Sequence, residues 1–319
     1  MTNFYHPRKA NSLAVPHILG LTASPVMKSA PNSLGKIEET LDSICRTPTK
    51  HRAELRLQVN RPTLQQIYYK NAPLRDTKSL QTLAYAYSGL DIEDDPYIQQ
   101  LRKDDTEKGV TKLHKIRLNR KTWCQDQFKS LHATSLRICI ELGQWAADYY
   151  VAEVVFNYLK KTESNNSWGV WDVSSAEQKY VADALRKVDI NYAVKDFSRQ
   201  GMYPEVSDKV TKLIETLRQQ PPELLGIIFV QERAMVAILY KLLSLHPDTR
   251  DKYRLGTIVG SSVSSKRTEN ISELIEVGQG QNTLSLFRSG SINLLIATSV
   301  LEEGVSFTFQ PHNLCAVRS

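Results

Sequence analysis

Between Gly226 and Thr298 three short apolar runs, GIIFV (226–230), GTIV (256–259) and NLLIAT (293–298), alternate with stretches of helical character. Runs this short carry little polar alternation, which is how strands read when both faces of their sheet are covered. Strands separated by helices imply crossover connections, and crossovers imply parallel pairing. This one pattern confines the last third of the chain to an α/β architecture with a parallel sheet.

Upstream the periodicity changes. From about Leu64 to Leu217 the sequence reads as helical, and Leu142, Trp145, Tyr149, Ala152, Phe156 and Leu159 recur at three- and four-residue spacing as one apolar stripe. Ser174 and Glu177 have the spacing of a capping box, with Tyr180, Val181, Ala184, Leu185 and Val188 as the apolar face that follows. Val206, Val210, Leu213, Ile214 and Leu217 predict another amphipathic helix, stopped by Pro221-Pro222. A helix from Asn282 to Phe287 should end at Gly290, and IEETLDSI after Ser33 should also be helical. Nearer the N-terminus Val15–Ser24 gives an apolar run closed by Ser24-Pro25, read as a strand and a turn. Ser306–Ser319 has no clear period.

The 319 residues carry 41 Lys and Arg against 34 Asp and Glu, a net charge of +7. The surplus is local: Lys108–Lys121 holds six Lys or Arg and no acid. That run fits either a polyanion-binding stripe or a solvated helix face beside the acidic Asp91–Asp95 cluster. No stretch approaches the length of a membrane span, and the N-terminus lacks the apolar core of a signal peptide, so a soluble intracellular protein is expected. Cys45, Cys124, Cys139 and Cys315 form no CxxC pair, which argues for reduced, buried thiols rather than a zinc module.

Local chemical motifs are few. APNSLGKI (30–37) lacks the first glycine and the final hydroxyl of a phosphate-binding loop. Gly278-Gln279-Gly280 is half of a dinucleotide fingerprint, with Thr283 where the third glycine belongs. The unusual segments lie at the carboxyl ends of the expected strands, where open parallel sheets gather ligands. They are Thr22-Ala23-Ser24, Gln231-Glu232-Arg233, Val259-Gly260-Ser261-Ser262 and Thr298-Ser299-Val300-Leu301-Glu302-Glu303-Gly304. Hydroxyls and bare backbone amides there suit phosphate oxygens, although each turn alone is ordinary turn chemistry.

Taken in order, these segments resemble the helicase motifs of superfamily two, in the Dicer and antiviral RNA-sensor branch. ILGLTASP (18–25) resembles motif III, IIFVQER (227–233) motif IV, IVGSS (258–262) the RNA-contacting turn that follows, and LLIATSVLEEGV (294–305) motif V. IELGQWAADYY (140–150) is similar to the helical insertion of that branch, and the whole looks most like a fungal Dicer-like protein.

The resemblance implies an α/β fold with a large helical insertion, a partial RecA-like helicase domain beside a mainly α-helical block. It places the end of a first RecA-like domain at 1–48, and the start of the second with the helical insertion at 49–220. An incomplete second RecA-like domain follows at 221–305, then an irregular tail at 306–319. Thr22, Ala23 and Ser24 would couple the two RecA-like domains. Gln231, Arg233, Val259, Gly260, Thr298 and Ser299 would contact RNA, and Glu302, Glu303 and Gly304 would couple nucleotide and RNA sites.

No residue is assigned a catalytic or metal-binding role. ATP and magnesium belong to the complete parent, with no cofactor expected for this chain alone, since the phosphate loop, acidic box, arginine motif and ribonuclease domains fall outside it. Ser306 also stands where the family pattern has an aspartate. The implied function is part of an ATP-dependent double-stranded RNA helicase and endoribonuclease of RNA silencing and antiviral defence, in the cytoplasm or nucleus. Its implied partners are double-stranded RNA, the remaining helicase and ribonuclease domains, and a double-stranded RNA-binding accessory protein, with no membrane. A non-enzymatic RNA- or partner-binding helical scaffold is the alternative. The sheet is expected to expose Leu294–Ile296 as an aggregation-prone edge.

Overall fold

A computed structural model describes residues 4–16, 33–46, 54, 64–71, 76–163, 173–190, 205–221, 223–260, 270–275, 277, 282–298 and 314–318. The chain divides into two compact units, Met1–Leu64 and Gln65–Ser319. The first contains α1 (Tyr5–Ala10) and α2 (Ser33–Leu41), tied by the Tyr5 hydroxyl donating to Asp42 at 3.0 Å and by a Lys9–Asp42 ion pair. The expected Val15–Leu21 strand lies largely outside the described residues, and Val15 itself belongs to no element.

The second unit begins with residues 65–71, which are not helical although the pattern from Leu64 onward suggests a helix. Lys70 donates its backbone N–H to Asp208 at 2.6 Å, and Lys209 sits 5.3 Å from the Tyr69 ring. With those polar anchors, Ile67 and Tyr69 line an apolar cavity of about 110 Å³ beside Val210, Leu213 and Met235. Tertiary docking has overridden local propensity in this segment.

The helical block follows: α3 (Lys78–Ser88), α4 (Pro96–Leu101), α5 (Glu107–Asn119), α6 (Trp123–Leu142), α7 (Gln144–Glu163), α8 (Ser175–Leu185) and α9 (Asp208–Gln219). Caps define most of these starts. Thr77, Asp95, Thr106, Thr122, Ser174 and Ser207 each accept a backbone N–H from their own helix, and Ser174 with Glu177 forms the full capping box.

The continuous stripe expected from Leu142 to Leu159 is divided between two helices, α6 and α7, broken at Gly143. Gly143 adopts φ +106°, and a Cβ there would lie 2.6 Å from both Ser207 N and Val206 Cα. Glycine is needed at this position both for its backbone angle and for the approach of the chain entering α9, whose Ser207 N–H donates to Leu142 O at 3.1 Å. Phe156 of that stripe is 57% exposed, whereas Trp145 and Ala152 are buried together with Ala146, Tyr150, Val154 and Tyr158.

The sheet comprises β1 (Leu225–Val230), β2 (Leu255–Ile258), β3 (Leu294–Thr298) and β4 (Leu314–Arg318), all parallel, in the order β2-β3-β1-β4. Between β1 and β2 lie α10 (Arg233–Leu245) and α11 (Pro247–Arg250), and α12 (Thr283–Arg288) precedes β3. Gly290, at φ +76°, closes α12 as the sequence suggested. β3 is an interior strand, so Leu294–Ile296 is not the edge it was expected to be. The stretch expected to be irregular supplies β4, an apolar run too short to show a period.

Side chains alternate across the sheet. Ile228, Val230, Leu294 and Ile296 join one core with the buried residues of α3 and α6–α10. Ile227, Phe229, Leu295 and Ala297 form the opposite face, covered by Phe287 of α12. The helical block and one sheet face therefore share a single core.

Cys124 and Cys139 are buried free thiols, whereas Cys45 is exposed, contrary to expectation. Among the described residues no helix is long and apolar enough to cross a membrane.

Gly143→Ala should cost roughly 2–5 kcal/mol, combining a strained backbone with a backbone clash. Gly290→Ala, with open space around the new Cβ, should cost only about 1 kcal/mol despite its positive φ. Denaturant midpoints of the two variants measure the difference, and equal midpoints would contradict the close-approach argument.

Candidate nucleic-acid interface at the carboxyl edge of the sheet

Parallel pairing sends the carboxyl ends of β1, β2 and β3 to the same edge. Val230 registers with Thr298, and Ile258 with Ala297, so the residues that follow emerge side by side. Gln231 and Arg233 leave β1 exposed, and Arg233 opens α10, whose first backbone amides point out of the helix. A cation beside free helix amides makes this corner electrostatically suited to an anion.

Val259 and Gly260 leave β2 half-buried beside the end of β3. The Gly260 N–H donates to Thr298 Oγ1 at 3.2 Å. Thr298 is only 4% exposed, so its hydroxyl joins the β2 and β3 ends rather than standing free in solvent. The motif resemblance gives Thr298 a direct phosphate contact; its position in this structure is that of a brace for Gly260.

Thr22, Ala23, Ser24, Ser299, Glu302, Glu303 and Gly304 lie outside the described residues. Of the positions singled out from the sequence, Gln231, Arg233, Val259, Gly260 and Thr298 are brought to one edge.

Glu232, between two of those residues, is the N-cap of α10 yet makes no side-chain cap. Its carboxylate instead meets Arg137 of α6, Nε to Oε1 2.5 Å. No sequence period links two residues so far apart, and Arg137 itself lies on the half-exposed side of an otherwise ordinary helix. Such contacts are invisible to local spacing.

The basic run forms α5 and its C-terminal turn, largely solvent-exposed. Arg117 pairs with Glu93 at 2.7 Å, Arg102 also pairs with Glu93, and Lys112 lies 5.1 Å from the Tyr97 ring. The acidic neighbour thus takes up part of the run, while Lys108, Lys115, Arg120 and Lys121 remain exposed.

Three buried groups, Asp95, Cys124 and Glu177, bring their potential ligand atoms within 4.8 Å of one another. Each already has structural work. Asp95 accepts from Tyr97 N at 3.0 Å and Thr122 Oγ1 at 2.7 Å, and Glu177 accepts from Ser174 N at 3.0 Å and Ser174 Oγ at 2.7 Å. Burial, reinforced by the charge of Asp95, pushes the Cys124 thiol far above its usual range. A protonated thiol among three helix caps is a joint between α4, α6 and α8, and a poor metal ligand.

The sequence is similar to fungal Dicer-like proteins. The chain is 40% identical over 96% of its length to Dicer-like protein 2 of Pyricularia oryzae, 39% over 97% to Dicer-like protein 2-1 of Aspergillus niger, and 34% over 96% to Dicer-like protein 2 of Neurospora crassa. It spans about a fifth of their lengths: 20%, 22% and 19% respectively. No family model matches the sequence. Among solved structures, the helicase domain of Pyrococcus furiosus Hef is matched at 16% identity and a TM-score of 0.32, covering 94% of this chain and 64% of that one.

Thr298→Val keeps shape and removes the hydroxyl, leaving the Gly260 N–H without its acceptor; a loss of about 1–2 kcal/mol and faster hydrogen exchange at Gly260 are expected. Thr298→Ser should restore both. Exchange at Gly260 that is indifferent to the hydroxyl would show that the brace does not hold the turn. With nearly its whole length aligned to one short stretch of these proteins, the chain is homologous to a segment of fungal Dicer-like protein 2.

Proposed function

We propose that this chain is the RNA-gripping part of a Dicer-like double-stranded RNA helicase, with Gln231, Arg233 and the Val259–Gly260 turn receiving the phosphate backbone. The observation that carries the reading is the convergence of these turns on one sheet edge, braced by the Gly260–Thr298 hydrogen bond. Such a surface reads A-form shape and phosphate spacing, because the deep major groove of duplex RNA excludes side chains. The exposed lysines of α5 add long-range attraction.

The wider assignment rests on the relatives' name and the motif order. It comprises a motif III coupling segment at Thr22–Ser24, a motif V segment continuing through Ser299, Glu302, Glu303 and Gly304, and the division into two RecA-like parts with an insertion. RNA silencing, antiviral defence, a double-stranded RNA-binding accessory protein and a cytoplasmic or nuclear site belong to the same proposal.

In such a helicase ATP hydrolysis would supply the work of translocation, with magnesium neutralising the phosphate charge. The described edge does not fit them by itself. Among its described residues it offers one exposed cation, Arg233, and the neighbouring carboxylate, Glu232, is committed to Arg137. This donor set favours, as a second reading, a non-enzymatic RNA-binding scaffold.

Binding of a short duplex RNA, followed across a salt series, tests the proposal. Affinity should fall linearly with salt on logarithmic axes, and Arg233→Ala should weaken it several-fold while reducing the slope by about 1. RNA binding that ignores both salt and Arg233→Ala would contradict it.

A further inference from the structure

Two sets of polar contacts tie the helical block to the β1–α10 turn and to residues 270–274 beyond β2. Glu232 pairs with Arg137 of α6 at 2.5 Å. The Arg137 guanidinium also donates to Thr134 Oγ1 at 3.1 Å, one turn earlier on the same helix. On α7, the Tyr150 hydroxyl donates to Ser272 O at 2.8 Å. Around that last contact, Gln127 Oε1 accepts from Ile271 N at 2.7 Å and Asn157 Nδ2 donates to Leu274 O at 2.9 Å.

These bonds are placed where they count. Tyr150 is fully buried and Gln127 is 4% exposed. A buried hydroxyl without partners is costly, so the geometry that satisfies Tyr150 is strongly preferred. Burial pushes its phenol well above the usual range, which keeps the proton available for donation. By contrast, Arg137 and Glu232 are partly exposed, and an isolated surface pair of that kind contributes little stability. The pair's consequence is orientation: it draws the Glu232 side chain away from the α10 cap and toward α6, with exposed Gln231 and Arg233 on either side.

We infer that Tyr150 and Arg137 are positioning residues: through Glu232 the helical block sets the place of the Gln231–Arg233 turn, and through Ser272 that of residues 270–274, and with them the proposed RNA-binding edge. Residues 270–274 are held on α6 and α7 by Gln127, Tyr150 and Asn157. Neither Tyr150 nor Arg137 needs to touch the nucleic acid. Their role rests on the proposed RNA-binding function, and both are residues that a contact-based reading of the edge omits.

The test uses the whole chain with Tyr150→Phe, Arg137→Ala, Arg137→Lys and Arg233→Ala. Hydrogen exchange in the free protein comes first: Tyr150→Phe should accelerate exchange at residues 271–274, and Arg137→Ala at residues 232–236. Protection unchanged in both variants overturns the positioning role whatever the RNA result. In duplex-RNA binding, Tyr150→Phe and Arg137→Ala should each weaken affinity roughly five-fold with the salt slope unchanged, since no phosphate contact is lost. Arg137→Lys should recover most of the affinity. An Arg137→Ala slope reduced like that of Arg233→Ala would make Arg137 a direct contact and refute the inference. If exchange responds as expected but RNA binding is absent for every variant, the coupling of the block to these two segments stands, while the RNA-binding function and the role for these residues that depends on it both fall.

Discussion

Everything at the carboxyl edge depends on the burial of one sheet face against the helical block. Ile228 and Val230 of β1 and Leu294 and Ile296 of β3 point into the same core as Phe128, Tyr150 and Leu242. Apolar burial at roughly 25 cal/mol per Å² makes this shared face the dominant contribution to holding block and sheet together. Polar contacts then refine what packing has already placed. The Arg137–Glu232 pair and the Tyr150 hydroxyl could not aim the segments they contact unless α6 and α7 were first fixed against the sheet.

This order of effects accounts for the form of the candidate interface. Parallel register delivers three chain ends to one edge without any specific side chain, because it follows from strands of similar length and crossover helices. Thr298 then braces Gly260, leaving the half-buried glycine turn and the exposed Arg233 corner as the surfaces presented outward. Shape and positive charge come from backbone placement and from one arginine, a combination suited to a uniform polyanion more than to a small ligand with distinct groups.

Much of this was legible in the sequence wherever the signal was local. The three apolar runs announced β1, β2 and β3, and the Ser174–Glu177 spacing announced a capping box that forms in full. Gly290 marked a helix end by the usual rule. The failures share a cause: a distant partner decided the outcome. Gly143 divides an apparently continuous stripe because the chain at Val206 and Ser207 passes within contact distance. Residues 65–71 stay out of a helix because Asp208 and Lys209 receive them. β4 is too short for periodicity and takes its identity from pairing with β1. At the candidate site, motif order singles out Gln231 and Arg233, whereas Arg137 and Tyr150 have no sequence signature, since their contacts are with partners more than ninety residues away.

The central claim is that helical block and sheet behave as one cooperative body that carries the edge proposed to bind RNA. Native-state hydrogen exchange under increasing denaturant measures it most directly, by assigning an opening free energy to each element. Amides of β1 and β3 should share a common opening free energy with those of α6 and α7. A helical block that opens at distinctly lower denaturant, while the sheet stays protected, would contradict the account.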